Sequence, residues 1–365
     1  MELHALKRVL INVLKFGVSA AILAWLVWDV RSNASFASLL SQPKDWGLLL
    51  LAWLLVMAMV CTTIVRWYFL VRALGLEFTL KDAFRLGFLG YLLNFVSLGA
   101  VGGDLFKAIF IAREQRGRRP EAVATVVIDR LIGLWALFIL ATIAILMTDL
   151  LHSDVREVQV VCRATLIGTF LGGIGLLVVL TPGFTNGALS EALTRLPRTG
   201  PVLGKLIEAV RIYRRKLPLL FWTTVMSLGV HLLGATGIYF TARGLGGNAP
   251  SLAYHYVVVP LGMIVGVLPL PMSGLGAFEA VIEYFYTSVP SAVAVAKGQG
   301  LVVAFGYRVI TVLIAIVGLF YWLSSRGEVA AVLHETEQLA ESPDALATPT
   351  TEADLMPSAE ASPAA

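Results

Sequence analysis

Long apolar runs, two of them broken by glycine and proline, constrain this chain more than any other feature. Uninterrupted runs lie near 10–28, 46–65, 122–148, 164–181, 218–242 and 299–323. Each approaches or exceeds the roughly 20 residues that cross a bilayer core. Residues 84–112 are also apolar but break at Gly99-Ala100-Val101-Gly102-Gly103-Asp104, and 252–286 break at Pro269-Leu270-Pro271-Met272-Ser273-Gly274-Leu275-Gly276. Backbone opened at membrane depth survives only where protein or a wet cavity satisfies its polar groups. The two broken segments are therefore expected to be discontinuous or re-entrant helix pairs that return to the side they entered.

Composition agrees. Hydrophobic residues make up 58% of the chain and charged residues 14%, whereas a soluble domain is about a quarter charged. The expected fold class is all-α: a polytopic membrane protein of about six full transmembrane helices plus two re-entrant helical segments.

Charge tests that topology. With six crossings and two returns, both termini share a side. Eighteen of the 28 basic residues then fall on the terminal side, Arg66 and Arg72 among them, against six on the other. The bias puts both termini in the cytoplasm, as expected of a multi-pass protein of the cell (inner) membrane. The net charge of +4 is thus explained by short loops and gives no reason to expect nucleic acid as a partner. Cys61 and Cys162 lie in or beside apolar runs without metal or disulfide spacing. Residues 1–326 read as a transmembrane domain. Residues 327–365, rich in Ala, Glu, Ser, Pro and Thr, read as a disordered cytoplasmic tail.

The two broken segments resemble one another. Each has glycines, then a carboxylate, then an apolar half-helix, then a full span with an arginine near its start. Arg130 follows Asp104 by 26 positions and Arg308 follows Glu279 by 29. A span precedes each unit, and those two spans run in opposite directions. An inverted repeat, as in many secondary transporters, is the expected arrangement. Two unrelated glycine kinks would be the plainer account.

Charge inside apolar segments costs roughly 2.5–3.5 kcal/mol per residue on insertion scales and calls for a partner or a function. Asp104 and Glu279 could each cap a half-helix, line a cavity, or do both. Lys107, one turn after Asp104, could snorkel or meet a phosphate. Asp129 and Arg130 could be an interfacial pair, although a guanidinium also suits a lipid phosphate. Arg308 matches Arg130 in the second half. Asn94 suits an interhelical hydrogen bond before a headgroup contact. His231 and His255 suit packing before proton relay. Gly168, Gly172, Gly262 and Gly266 have the spacing of close helix contacts. The basic stretch 205–217 suits an anionic membrane surface.

Enzyme motifs are missing from the sequence. There is no Gly-x-x-x-x-Gly-Lys-Ser/Thr loop, no His-Glu-x-x-His, no Asp-x-Asp and no Gly-x-Ser-x-Gly elbow. No cofactor is called for.

Three runs together carry a resemblance: Asn94 through Lys107, Ala124 through Leu131, and Pro269 through Glu279. They resemble the lysylphosphatidylglycerol synthase transmembrane region family over roughly residues 10–325. That domain forms the flippase part of the multiple peptide resistance factors and also occurs alone. This chain departs from the family pattern in three places. Ser97-Leu98 stand where proline is usual, Lys107 where arginine is usual, and Asp129-Arg130 where Glu-Arg is usual. The soluble lysine-transferring domain is not in this sequence. The resemblance therefore implies lipid translocation, not aminoacyl transfer, and leaves the lipid open.

The leading expectation is a flippase for a polar-headed lipid, anionic or aminoacylated phospholipid or glycolipid. Its substrate-binding set is Asn94, Gly102, Gly103, Asp104, Lys107, Asp129, Arg130, Pro271, Gly274, Gly276, Glu279 and Arg308. Other readings are a non-transporting partner of a lipid-synthesising enzyme and an integral membrane lipid transferase. A second copy of the chain is a further expected partner.

Overall fold

The structure is a computed structural model, and it describes residues 41–96, 100–115, 118–183, 187–195, 200–246, 248–267, 276–288 and 295–324. The span expected at 10–28 and the tail lie outside the described residues. Among the described residues the chain is all helix, with eleven α-helices and a short 3-10 turn.

Five of these helices are long and apolar enough to cross a membrane. They are α1 (Trp46–Ala73), α4 (Arg119–Leu146), α5 (Arg156–Leu180), α8 (Leu217–Leu245) and α11 (Gln299–Ser324). Local chemistry sets their starts. Asp45 accepts the backbone N–H of Leu48 at 3.1 Å ahead of α1. Pro120 and Pro218 stand in the first turns of α4 and α8, where a missing N–H costs nothing.

Both broken segments form helical hairpins. The first is α2 (Leu80–Val96) with α3 (Ala100–Glu114), and the second is α9 (Leu252–Val267) with α10 (Ala277–Ser288). At ~1.5 Å per residue no limb reaches much beyond about 25 Å, short of the ~30 Å core. Each hairpin returns to the end it left. At the base of the first, Arg85 meets Glu114 at 3.1 Å, and Gln115 donates to the Glu77 carbonyl at 2.7 Å. At the base of the second, Gln299 donates to the Asn248 carbonyl at 2.7 Å, and Glu283 accepts from Gly298 N–H at 2.6 Å.

These bases lie at opposite ends of the bundle. Helices α1 and α8 pack antiparallel along their full length. Asp45 N–H meets the Gly244 carbonyl at 2.9 Å, Gly237 lies against Val56, Arg66 meets Ser227, and Lys216 reaches the Ala73 carbonyl at 2.8 Å. The first hairpin starts where α1 ends, and the second starts where α8 ends. The order span–hairpin–span thus occurs twice with opposite direction. The contacts are reciprocal too: α2 packs on α11, and α9 packs on α4.

The remaining elements are peripheral: α5 lies against α4, and α6 (Ala188–Thr194) and α7 (Gly200–Arg214) form a short pair. Helix α7 and the start of α8 are tied to the end of α1 by Tyr213, whose hydroxyl donates to the Leu70 carbonyl at 2.7 Å, and by Lys216.

One expectation needs correction. Arg66, counted above as a cytoplasmic loop residue, lies inside α1 and is buried. The helix runs on to Ala73 because Asp129 neutralises the guanidinium within the bundle. The helix-packing expectations hold at Gly168, Gly172 and Gly262. Gly168 and Gly172 of α5 receive the rings of Phe138 and Trp135 of α4, and Gly262 of α9 faces Phe278 and Ile282 of α10. His255 joins Tyr286 at 2.6 Å, and His231 joins the Gly133 carbonyl at 2.9 Å, both as packing hydrogen bonds.

Candidate functional site

Two ion-pair clusters stand in matching places, one per half. In the first, Asp104 of α3 pairs with Arg130 of α4, and its other oxygen meets Lys107 Nζ at 2.9 Å. In the second, Glu279 of α10 pairs with Arg308 of α11, at 2.8 Å to Nη2 and 3.2 Å to Nε. At ~1.5 Å per residue each cluster lies about 15 Å from its own end of a bundle about 40 Å long. The clusters therefore bracket the middle.

Local backbone chemistry sets each carboxylate. Gly276 has φ +89, a conformation natural to glycine. Its N–H donates to Glu279 Oε2 at 2.6 Å, the back-reaching half of a capping box. Glu279 thus caps α10 and pairs with Arg308 at once. Asp104 differs. Helix α3 already begins at Ala100, so Asp104 lies in its second turn and faces Arg130 and Lys107 instead of capping. Gly102 sits in the first turn of α3. Gly103 permits the close approach of the hairpin limbs, since a Cβ there would lie 1.9 Å from the Gly90 carbonyl oxygen. Its N–H donates to Asn94 Oδ1 at 3.0 Å, the interhelical bond expected of a lone amide. Pro271 and Gly274 lie outside the described residues.

The clusters differ in charge and access. Asp104 with Lys107 and Arg130 carries an excess positive charge, while Glu279 with Arg308 is balanced. Glu279 is wholly buried and Arg308 is 18% exposed. Arg130 lies within α4, and 50% of its side-chain surface is accessible. Its carboxylate partner Asp104 is largely buried. Lys107 also lies over the Trp67 ring at 5.4 Å. Helix α2 reaches both halves: Asn94 holds the start of α3, and the helix packs on α11.

Asp129 is placed elsewhere. Both of its oxygens are taken by Arg66, at 2.8 and 3.0 Å, in a buried pair away from Arg130's accessible surface. The sequence reading missed Arg66, and the local sequence gave no signal for it, because its partner is 63 positions away. It also missed Glu283, whose two oxygens accept from Gly298 and Leu301 N–H at the start of α11, at 2.6 and 2.9 Å.

Arranged this way, the residues can hold an anion at Arg130 and Lys107 and trade that contact against Asp104. The fold and clusters define a polytopic helical membrane protein built on inverted hairpin units. The family model for the lysylphosphatidylglycerol synthase TM region matches residues 12–318, and the chain belongs to this family. Neither a curated protein nor a solved structure matches the chain.

Proposed function

We propose that this protein moves a polar-headed, phosphate-bearing lipid between membrane leaflets. One observation carries the reading: an arginine at mid-depth, half accessible, in a cluster with one cation in excess, at the tip of a re-entrant hairpin. Arginine binds phosphate through two parallel hydrogen bonds, and away from bulk water such contacts are strong. Arg130 and Lys107 hold the phosphate, and Asp104 receives Arg130 when the lipid leaves. The Glu279–Arg308 pair is the matching gate in the other half. Family membership supports a lipid-related membrane role. The proposal assigns no chemical step to the protein, and it places both termini at the cytoplasmic face of the cell membrane.

The test is reconstitution in vesicles containing fluorescent headgroup-labelled phospholipid, with dithionite added outside. Transport predicts loss of the inner-leaflet signal as well as the outer. Arg130→Ala, still monodisperse, returns the signal to that of protein-free vesicles. Wild-type protein that never exceeds protein-free vesicles, across anionic, zwitterionic and aminoacylated lipids, overturns the proposal in favour of a non-transporting partner of a lipid-synthesising enzyme.

A further inference from the structure

The buried pair Arg66–Asp129 takes no part in the Arg130–Asp104 cluster, yet Asp129 stands one residue from Arg130. Arg66 Nε and Nη2 grip both Asp129 oxygens, Nη2 also reaches the Asp129 carbonyl at 3.4 Å, and Nη1 donates to Ser227 Oγ at 2.6 Å. Ser227 donates onward to the Thr223 carbonyl at 2.7 Å within α8. One turn along α4, Gly133 lies against the same guanidinium, where an added Cβ would sit 3.4 Å from Nη1 and Nη2. The Gly133 carbonyl meets His231 of α8 at 2.9 Å. Two successive turns of α4 are therefore fixed to the α1–α8 pair, on either side of Arg130.

Fixing those turns sets the rotation and axial position of α4. Neighbouring helix residues project about 100° apart, so Asp129 facing Arg66 dictates where Arg130 points. A buried ion pair is weak evidence of stabilisation, because apolar replacements of similar volume often do as well. The second half shows the alternative. There Tyr307 precedes Arg308 and packs on Phe278 at 5.9 Å, and the start of α11 is held by Glu283. Only the half with the accessible arginine uses an ionic anchor at this position.

We infer that Arg66 is a positioning residue: through Asp129 it aims Arg130 at Asp104 and so presets the proposed anion site. Asp129 thereby leaves the ligand-binding set. The inference rests on the proposed role of Arg130, and its first test needs no lipid. Full-length protein carrying Cys61→Ser and Cys162→Ala receives Asp104→Cys and Arg130→Cys. Cross-linking by a short bis-maleimide is then timed with native residues at 66 and 129, with Arg66→Lys, and with Arg66→Met/Asp129→Leu. The paired variant leaves no orphan charge, and the lysine keeps the charge while losing the fork. Cross-linking should slow about tenfold in both, as expected when two groups lose their preset geometry, while the thermal midpoint of the paired variant stays near that of its parent. An unchanged rate in a folded variant overturns the inference, and Arg66→Lys decides it if the paired variant does not fold. The second arm keeps Asp104 and Arg130 and measures binding of short-chain phosphatidylglycerol. Weaker binding alongside slower cross-linking supports both readings. Slower cross-linking with unchanged binding keeps Arg66 as the residue that aims Arg130 and overturns Arg130 as the phosphate ligand.

Discussion

Two arginines in matching places are predicted to respond differently to removal. Arg308 is held by a carboxylate with no exposed surface. Arg308→Ala leaves that charge buried and unpaired, which costs about 3–5 kcal/mol. Replacing both partners, as in Glu279→Leu/Arg308→Met, should cost less than the single change. Thermal unfolding followed by size-exclusion chromatography reads the difference. Arg130→Ala removes a half-accessible guanidinium and should cost little stability while abolishing lipid movement. Equal destabilisation by the two alanine variants would sink the claim that the clusters differ in kind. Much of this was legible in the sequence. Equal placement after a glycine break picked out Asp104, Glu279, Arg130 and Arg308, because a charge in an apolar run needs a partner. Arg66 was not legible, since a charged residue ending an apolar run looks like a helix end. Only the fold brings Asp129 to it.

At the scale of elements, the hairpins depend on close backbone approach and on borrowed caps. Gly103→Ala places a methyl group into the Gly90 carbonyl. The limbs must part, at a cost of about 1–3 kcal/mol, and the bond from Gly103 N–H to Asn94 is lost. The variant should unfold earlier and transport less. Gly175, whose Cβ position meets nothing within 4 Å, supplies the control: Gly175→Ala in α5 should be neutral or slightly stabilising. Glu283 is the second element-scale device. Glu283→Ala strips the first amides of α11 of their acceptors, and leaving such groups buried and unpaired costs about 1–3 kcal/mol. Hydrogen exchange at Gly298 and Leu301 should quicken while exchange near Ile314 stays slow. Uniform quickening along α11 would argue against a capping role. The sequence showed the two breaks, since glycine and proline interrupt a hydropathic run plainly. It did not show Glu283 as a cap, because the amides it serves follow a loop and lie 15 and 18 positions away.

For the whole molecule, the inverted arrangement makes a prediction about sidedness that hydropathy alone cannot. Five candidate spans and two hairpins could be threaded through a membrane in several ways. The structure ties the base of the first hairpin to the end of α1 through Arg118, which donates to the Leu74 carbonyl at 2.8 Å. The start of α1 meets the end of α8, where Lys44 donates to the Leu245 carbonyl at 2.6 Å, and the base of the second hairpin lies beside it at Asn248, whose carbonyl accepts from Gln299 at 2.7 Å. Lys81 and Arg113 must then open on one side of the membrane, and Lys44 and Lys297 on the other. Single cysteines at these four positions, in a chain lacking Cys61 and Cys162, should label in two pairs with a membrane-impermeant maleimide. The clustering of Arg72, Lys81, Arg85, Arg113 and Lys216 at the first end predicts that this end faces the cytoplasm. Lys44→Cys and Lys297→Cys should therefore react in intact cells, and Lys81→Cys and Arg113→Cys only after permeabilisation. Labelling of Lys81→Cys and Arg113→Cys from opposite sides would mean that the first broken segment crosses the membrane. The two halves would then cease to be inverted copies, and the paired clusters would lose their common place at mid-depth.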